Sequence, residues 1–289
     1  MIERATPSAR RVFFATALAM IAFASNSILC RLALGGAHID PASFTTVRIV
    51  AGAVALALIA AARRGARRGH RPTRAGWTSA AFLYLYAIAF SVSYVSLSAG
   101  TGALILFGCV QSTMLLAALR GGERPQRLEW LGLGVAVAGL VYLVLPGLAA
   151  PPLLGALLMA SAGVAWGLYS LRGRASPDPL DDTARNFARA APLALATSIA
   201  ALSRVDATAE GVALAAVSGA ISSGVGYVVW YAALRELTST RAAIVQLSVP
   251  VIAAAGGVVL LGEVISTRLV VAAVMILGGV AVALSARQR

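Results

Sequence analysis

The chain has 289 residues, 59% hydrophobic and 12% charged, with 24 basic against 11 acidic side chains and a formal net charge of +13. A water-soluble domain devotes about 25% of its residues to charge, so this composition excludes an ordinary soluble fold. Every basic residue is arginine, and the arginines lie mostly between apolar runs, where they mark loops and helix ends; this removes nucleic acid as a partner.

Ten apolar stretches follow one another, at 11–34, 42–62, 76–98, 101–119, 128–146, 153–172, 184–203, 211–234, 242–261 and 268–286. Each is roughly 20 residues long, enough at 1.5 Å per residue to cross a hydrocarbon core of about 30 Å, so the fold class is all-α membrane. The first opens with Arg10 and Arg11 and contains Ala22-Phe23-Ala24, a small-residue pattern that a secretory leader also shows; it continues apolar to Leu34 and reads as a span. Ser25, Asn26 and Ser27 lie at its centre. Cys30 and Cys109 fall inside spans, which gives no disulfide framework. The loop RRGARRGHRPTR after the second span fits a topology determinant resting on anionic lipid headgroups.

With an even number of spans both termini share one side. That side receives 19 arginines and the other only Arg31, Arg204 and Arg268, so the positive-inside rule predicts cytoplasmic N and C termini.

Polar groups at span centres need a protein or aqueous neighbour rather than lipid, which makes them candidates for lining a path. On the third span Tyr86, Phe90 and Tyr94 share one face at i, i+4 and i+8. The fourth carries Gln111, the sixth Trp166 and Tyr169, the eighth Tyr227, Trp230 and Tyr231, and the ninth Gln246. The expected substrate-binding set is therefore Asn26, Tyr86, Tyr94, Gln111, Trp166, Tyr169, Tyr227, Trp230 and Gln246, with interhelical bonding and aromatic packing as the plainer alternative. Pro250 cannot bond back to the Gln246 carbonyl, so a break is expected there and Pro250 is the candidate gate or hinge. Gly163 with Gly167, and Gly219 with Ser223, have the spacing of close helix packing.

No Asp or Glu lies at a span centre: Asp40, Glu123, Asp206 and Glu263 are near ends or in loops. A buried-carboxylate proton relay is thereby disfavoured. Arg48 and Arg189 are the ionisable residues within spans, a few residues from an end, where snorkelling or structural pairing is expected. His38 and His70 have no metal-ligand spacing, and neither a phosphate loop nor a nucleophile–base set is visible, so no catalytic residue, metal or cofactor is expected.

Compared with itself at an offset near 140 residues, the chain matches Gly122 with Gly262, Glu123 with Glu263 and Gly139 with Gly279. Two five-helix halves follow, 1–150 and 151–289, and because five is odd the second inserts inverted. The Gly-Glu turns at 122–123 and 262–263, the Trp166-Gly167 pair answered by Phe23-Ala24 in the first helix, and Arg48 with Arg189 resemble the drug/metabolite transporter superfamily, specifically ten-helix exporters built from two EamA units. The resemblance is greatest to the subgroup exporting amino acids, aromatic ones included. It implies a bacterial inner-membrane transporter that moves amino acids or similar small neutral or zwitterionic metabolites by alternating access; with no carboxylate at mid-membrane, transport is expected to be facilitated diffusion, or at most weakly coupled to protons through Glu123, Glu263 or a loop group. A multidrug or other metabolite exporter is the alternative and an integral-membrane enzyme a distant one. The implied partners are a small-molecule substrate and a lipid bilayer with anionic headgroups; no oligomeric state is indicated.

Overall fold

The computed structural model describes residues 9–64, 76–120, 127–145, 147, 150–174, 176–234, 236–237 and 245–286. Its helices are α1 (Ala9–Gly35), α2 (Pro41–Arg64), α3 (Trp77–Tyr94), α4 (Ala99–Arg120), α5 (Arg127–Val144), α6 (Leu153–Arg174), α7 (Pro179–Ala200), α8 (Ala209–Val217), a π-helical segment (Ser218–Val225), α9 (Gly226–Leu234), α10 (Ser248–Leu261) and α11 (Thr267–Ala286). Among the described residues the extended pairing is limited to an isolated bridge between Ile39 and Ala207.

The surface is apolar, and polar groups lie within the apolar core. Leu, Val and Ile side chains such as Leu58, Leu154, Ile199, Val259 and Val274 are exposed, whereas Asn26, Thr45, Arg48, Ser91, Ser93, Ser218 and Ser223 are buried. A surface of this kind needs a hydrocarbon solvent. Among the described residues five helices are long and apolar enough to cross a membrane: Arg10–Gly35, Pro41–Arg63, Arg127–Val144, Leu153–Gly173 and Ala209–Leu234. Shorter apolar helices occupy Ala99–Met114, Ser248–Leu261 and Thr267–Ala283. The predicted span over α7 is more polar than this group, because α7 opens on Asp181, Asp182, Arg185 and Asn186.

Two Asp-Pro pairs set helix starts. Asp40 Oδ1 accepts from the amides of Ala42 and Ser43, both at 3.0 Å, and Pro41 takes the first helical position. Asp178 caps α7 through the Asp181 amide, with Pro179 in the first turn. An N-cap acceptor followed by proline satisfies a free helix-end amide and presets φ. This start lies upstream of the predicted boundary at 184 and brings Asp181, Asp182 and Arg185 into the helix.

The predicted eighth span is one continuous helical run whose middle widens into the π-helical segment SGAISSGV. Small residues there admit α2: a Cβ on Gly219 would overlap the Arg48 carbonyl, and one on Gly224 would sit 3.2 Å from the Ala55 Cβ. In α6, a Cβ on Gly163 would lie 2.6 Å from the Leu106 carbonyl and one on Gly167 2.9 Å from Thr113, so the small-residue pair seats α6 on α4. Ahead of α10, Val245 and Gln246 are helical, Leu247 is a turn, and the helix restarts at Ser248. Pro250 therefore stands in a first turn, where its missing N–H costs no hydrogen bond.

The α5–α11 contact is backbone against backbone. A Cβ on Gly279 would lie 2.5 Å from the Gly132 carbonyl, and one on Gly139 2.7 Å from the Met275 Cβ. Gly132 thus faces Gly279 while Gly139, one turn or more further along, faces Met275, so the two helices run antiparallel.

At the opposite end from the start of α1, the Glu263 carboxylate accepts from the Ala99 amide at 2.9 and 3.0 Å and from Arg31 Nε at 3.3 Å. Arg31 Nη1 in turn donates to the carbonyls of Tyr94 and Val95, each at 3.0 Å. The carboxylate sits on the positive end of α4. Gly262, with φ +64°, makes this reach possible, and the Glu263 amide closes back on the Gly257 carbonyl at 3.0 Å. The equivalent turn at Gly122-Glu123 lies outside the described residues.

Candidate functional site

The α3 stripe is realised as a ring ladder. Tyr86 and Phe90 have centroids 5.4 Å apart, and Phe90 meets Tyr94 edge-on at 4.7 Å. Trp166 of α6 joins it to the second half of the chain: its ring is 4.9 Å from Tyr86, 5.4 Å from Tyr169 and stacked on Tyr227 at 5.2 Å. Phe23 of α1 stands edge-on to Tyr227 at 5.9 Å and to Trp230 at 5.8 Å, and Phe187 of α7 reaches Tyr227 at 6.0 Å. Helices α1, α3, α6, α7 and α9 thus share one aromatic cluster.

A polar chain crosses beside it. The Ser218 hydroxyl donates to Asn26 Oδ1 at 2.5 Å, and Asn26 Nδ2 donates to the Tyr86 hydroxyl at 3.4 Å. The same hydroxyl accepts from Arg48 Nη2 at 2.8 Å, and Arg48 Nε leans on Ser223 Oγ at 3.4 Å. Arg48 is 2% exposed, about 10 Å in from the start of α2 at the helical rise. Its guanidinium carbon lies 5.1 Å from the Tyr86 ring centroid and 4.9 Å from that of Phe90. It does not snorkel. Gly219 lets the π-helical segment close over this part of α2, while Tyr86 and Phe90 cover the guanidinium, so the side chain stays inside.

The expected residues divide by position. Asn26, Tyr86, Tyr94, Trp166, Tyr169, Tyr227 and Trp230 fall in the cluster or its polar chain. Tyr94 is fully buried at the end of the ladder, against Gly102, where a Cβ would meet its ring. Trp166 is half-buried. Gln111 is buried on α4, and Gln246 is half-buried just ahead of α10; α4 and α10 contribute no ring to the cluster among the described residues. Arg189 lies on α7, and among the described residues its buried Nη1 has no partner. Sequence reasoning missed the placement of Arg48, and with it Phe23, Phe187, Ser218 and Ser223. An arginine about 10 Å inside an apolar helix is itself the signal that could have found it.

The profile of the EamA-like transporter family matches residues 10–145 and again residues 153–285. The chain belongs to that family. It is a multi-pass membrane protein of a transporter lineage, for which a small-molecule substrate is implied. An uncharacterized protein of Pseudomonas aeruginosa is 51% identical over 278 residues, which is 96% of either chain. A solved crystal structure at 20% identity superposes with a TM-score of 0.66, covering 93% of this chain and 98% of the other, and so shares the fold.

Proposed function

We infer that the protein is an inner-membrane exporter of amino acids, aromatic ones included, or of similar small amphipathic metabolites, working by alternating access. The two halves, 1–150 and 151–289, are read as inverted repeats, with both termini cytoplasmic and the solute held where the halves meet. The observation that carries this reading is the cluster itself. Rings from α1 and α3 meet rings from α6, α7 and α9 beside a buried polar chain, which supplies an apolar wall and hydrogen-bonding groups at one place. Aromatic faces accept the body of an amphipathic solute, and hydroxyl and amide groups fix its polar end. In this scheme Gln111 and Gln246 line the path on the α4 and α10 side, and the restart of α10 near Pro250 is the moving element.

Counterflow with the purified protein in liposomes, screened over the twenty amino acids, tests the reading. Exchange of a subset of large neutral amino acids is the expected result; chemical turnover without translocation would mark a membrane enzyme instead. Asp182, a buried acidic side chain that acts electrostatically on Tyr169 and Tyr231, stands in the first turn of α7 and not at the centre of a span, so flux is expected to run down the solute gradient, and an imposed pH gradient should change its rate little. Accumulation driven solely by a proton gradient would overturn facilitated transport.

A further inference from the structure

A guanidinium offers five N–H donors in a planar fork and stays charged at any accessible pH. In Arg48, Nη2 is used by Tyr86 and Nε by Ser223, while Nη1 is buried with no hydrogen-bond partner. Among the described residues Arg48 forms no ion pair, whereas Arg31 pairs with Glu263, His38 with Glu210 and Arg185 with Asp181. The rings of Tyr86 and Phe90 offset part of the cost of burying the charge, but an N–H turned to a ring face makes only a weak bond and keeps most of its capacity to donate. The Tyr86 oxygen is in a matching condition: it accepts from both Arg48 and Asn26, so its own proton is left to donate. Buried polar groups are ordinarily satisfied; Arg189 and Arg268 also keep an open Nη1, and Arg48 differs from them in lying against the ring cluster beside the undonated Tyr86 proton.

Resting on the transport reading above, we propose that Arg48 and Tyr86 are the anion-binding residues of the site, and that the solute is an organic carboxylate with an apolar or aromatic body. A carboxylate has two oxygens that accept only, which fits one free guanidinium nitrogen beside one free phenol proton. The body of such a solute would lie along Trp166 and Tyr227, which stack at 5.2 Å next to Tyr86. An amine without a carboxylate has no anionic partner there and meets a fixed positive charge.

The test uses the full-length protein with 3-phenylpropionate, phenylalanine and 2-phenylethylamine, which share a phenyl body and differ in the charged end. The two carboxylates should raise the thermal unfolding midpoint of the detergent-purified protein in a concentration-dependent way, and the amine should not. Arg48→Gln should weaken carboxylate binding roughly ten- to a hundredfold, the range for a hydrogen bond to a charged group. Arg48→Lys should restore part of it, and Tyr86→Phe, which keeps the ring, should weaken it less. Equal stabilisation by the amine, no binding of either carboxylate, or unchanged carboxylate affinity in Arg48→Gln would overturn the proposal. If Arg48→Gln does not fold, Tyr86→Phe decides: unchanged affinity overturns it. Flux in liposomes separates the two readings. Carboxylates that bind through Arg48 but are not moved leave the anion site standing and remove transport, whereas amino-acid flux indifferent to Arg48→Gln leaves transport standing and removes the anion site.

Discussion

Along the α5–α11 seam backbone meets backbone, with Gly132 and Gly279 set so close that neither helix has room for a side chain. Around Arg48 the helices are instead held by long side chains: Tyr86, Asn26 and Ser223 reach across to one another, and one guanidinium nitrogen is left over. Both regions lie in the same bundle and both are buried. In the seam the glycines are explained by what they touch, and a change there should act on stability. In the Arg48 layer one donor is left without a contact, so under the proposed anion site a change there should alter binding separately from folding.

The largest expected effect breaks the seam. In Gly279→Val the new Cβ would lie 2.5 Å from the Gly132 carbonyl, a backbone atom that cannot rotate away. The upper end of the overpacking range, about 3 kcal/mol, applies. Thermal unfolding should show a large drop, while Gly278→Val next to it, with no atom within 4 Å, should unfold like the parent protein. Equal behaviour of the pair would mean the seam does not hold the bundle.

Next come two aromatic truncations that should separate the regions. Tyr94→Ala removes a fully buried ring packed on Phe90 and Gly102, at a stability cost of about 3 kcal/mol. Trp166→Ala removes a half-buried ring stacked on Tyr227, and should lower flux about tenfold, given the worth of such ring pairs, while the protein still purifies as a folded monodisperse species. Parental flux kinetics in Trp166→Ala would take that residue out of the site.

The smaller effects sharpen the polar chain. Asn26→Ala leaves the Ser218 hydroxyl without its acceptor and removes one donor from Tyr86, a change of roughly 1–3 kcal/mol. Solute affinity should fall several-fold when measured by uptake into inside-out vesicles. Gln246→Ala should do less, because α10 brings no ring to the cluster; unchanged affinity in both would assign these amides to packing.

The α3 ladder was legible because helical periodicity alone puts Tyr86, Phe90 and Tyr94 on one face, and the rings then meet in that order. Depth was harder to read. Arg48 lies near enough to an end of its apolar run for snorkelling, and what keeps it inside is Gly219, 171 positions away, together with the α3 rings. The start of α7 was written in the residues but masked by hydropathy: Asp178-Pro179 repeats the Asp40-Pro41 cap, whereas Asp181, Asp182 and Arg185 depress the apolar signal until 184. The role of Glu263 could not be read at all, since the amide it caps is 164 residues distant in sequence.

Gly262 touches almost nothing, and a Cβ there would find no atom within 4 Å. Its φ of +64° nevertheless aims Glu263 at the first turn of α4 and at Arg31, which itself grips the end of α3. A left-handed backbone costs an ordinary residue about 1–2 kcal/mol, so a substitution would fit in space and resist in torsion. That resistance would be relieved by swinging the carboxylate off α4 and releasing α1 and α3 with it. The least crowded position in the turn is therefore a lever: one dihedral angle sets how firmly three other helices are tied together at that end of the bundle.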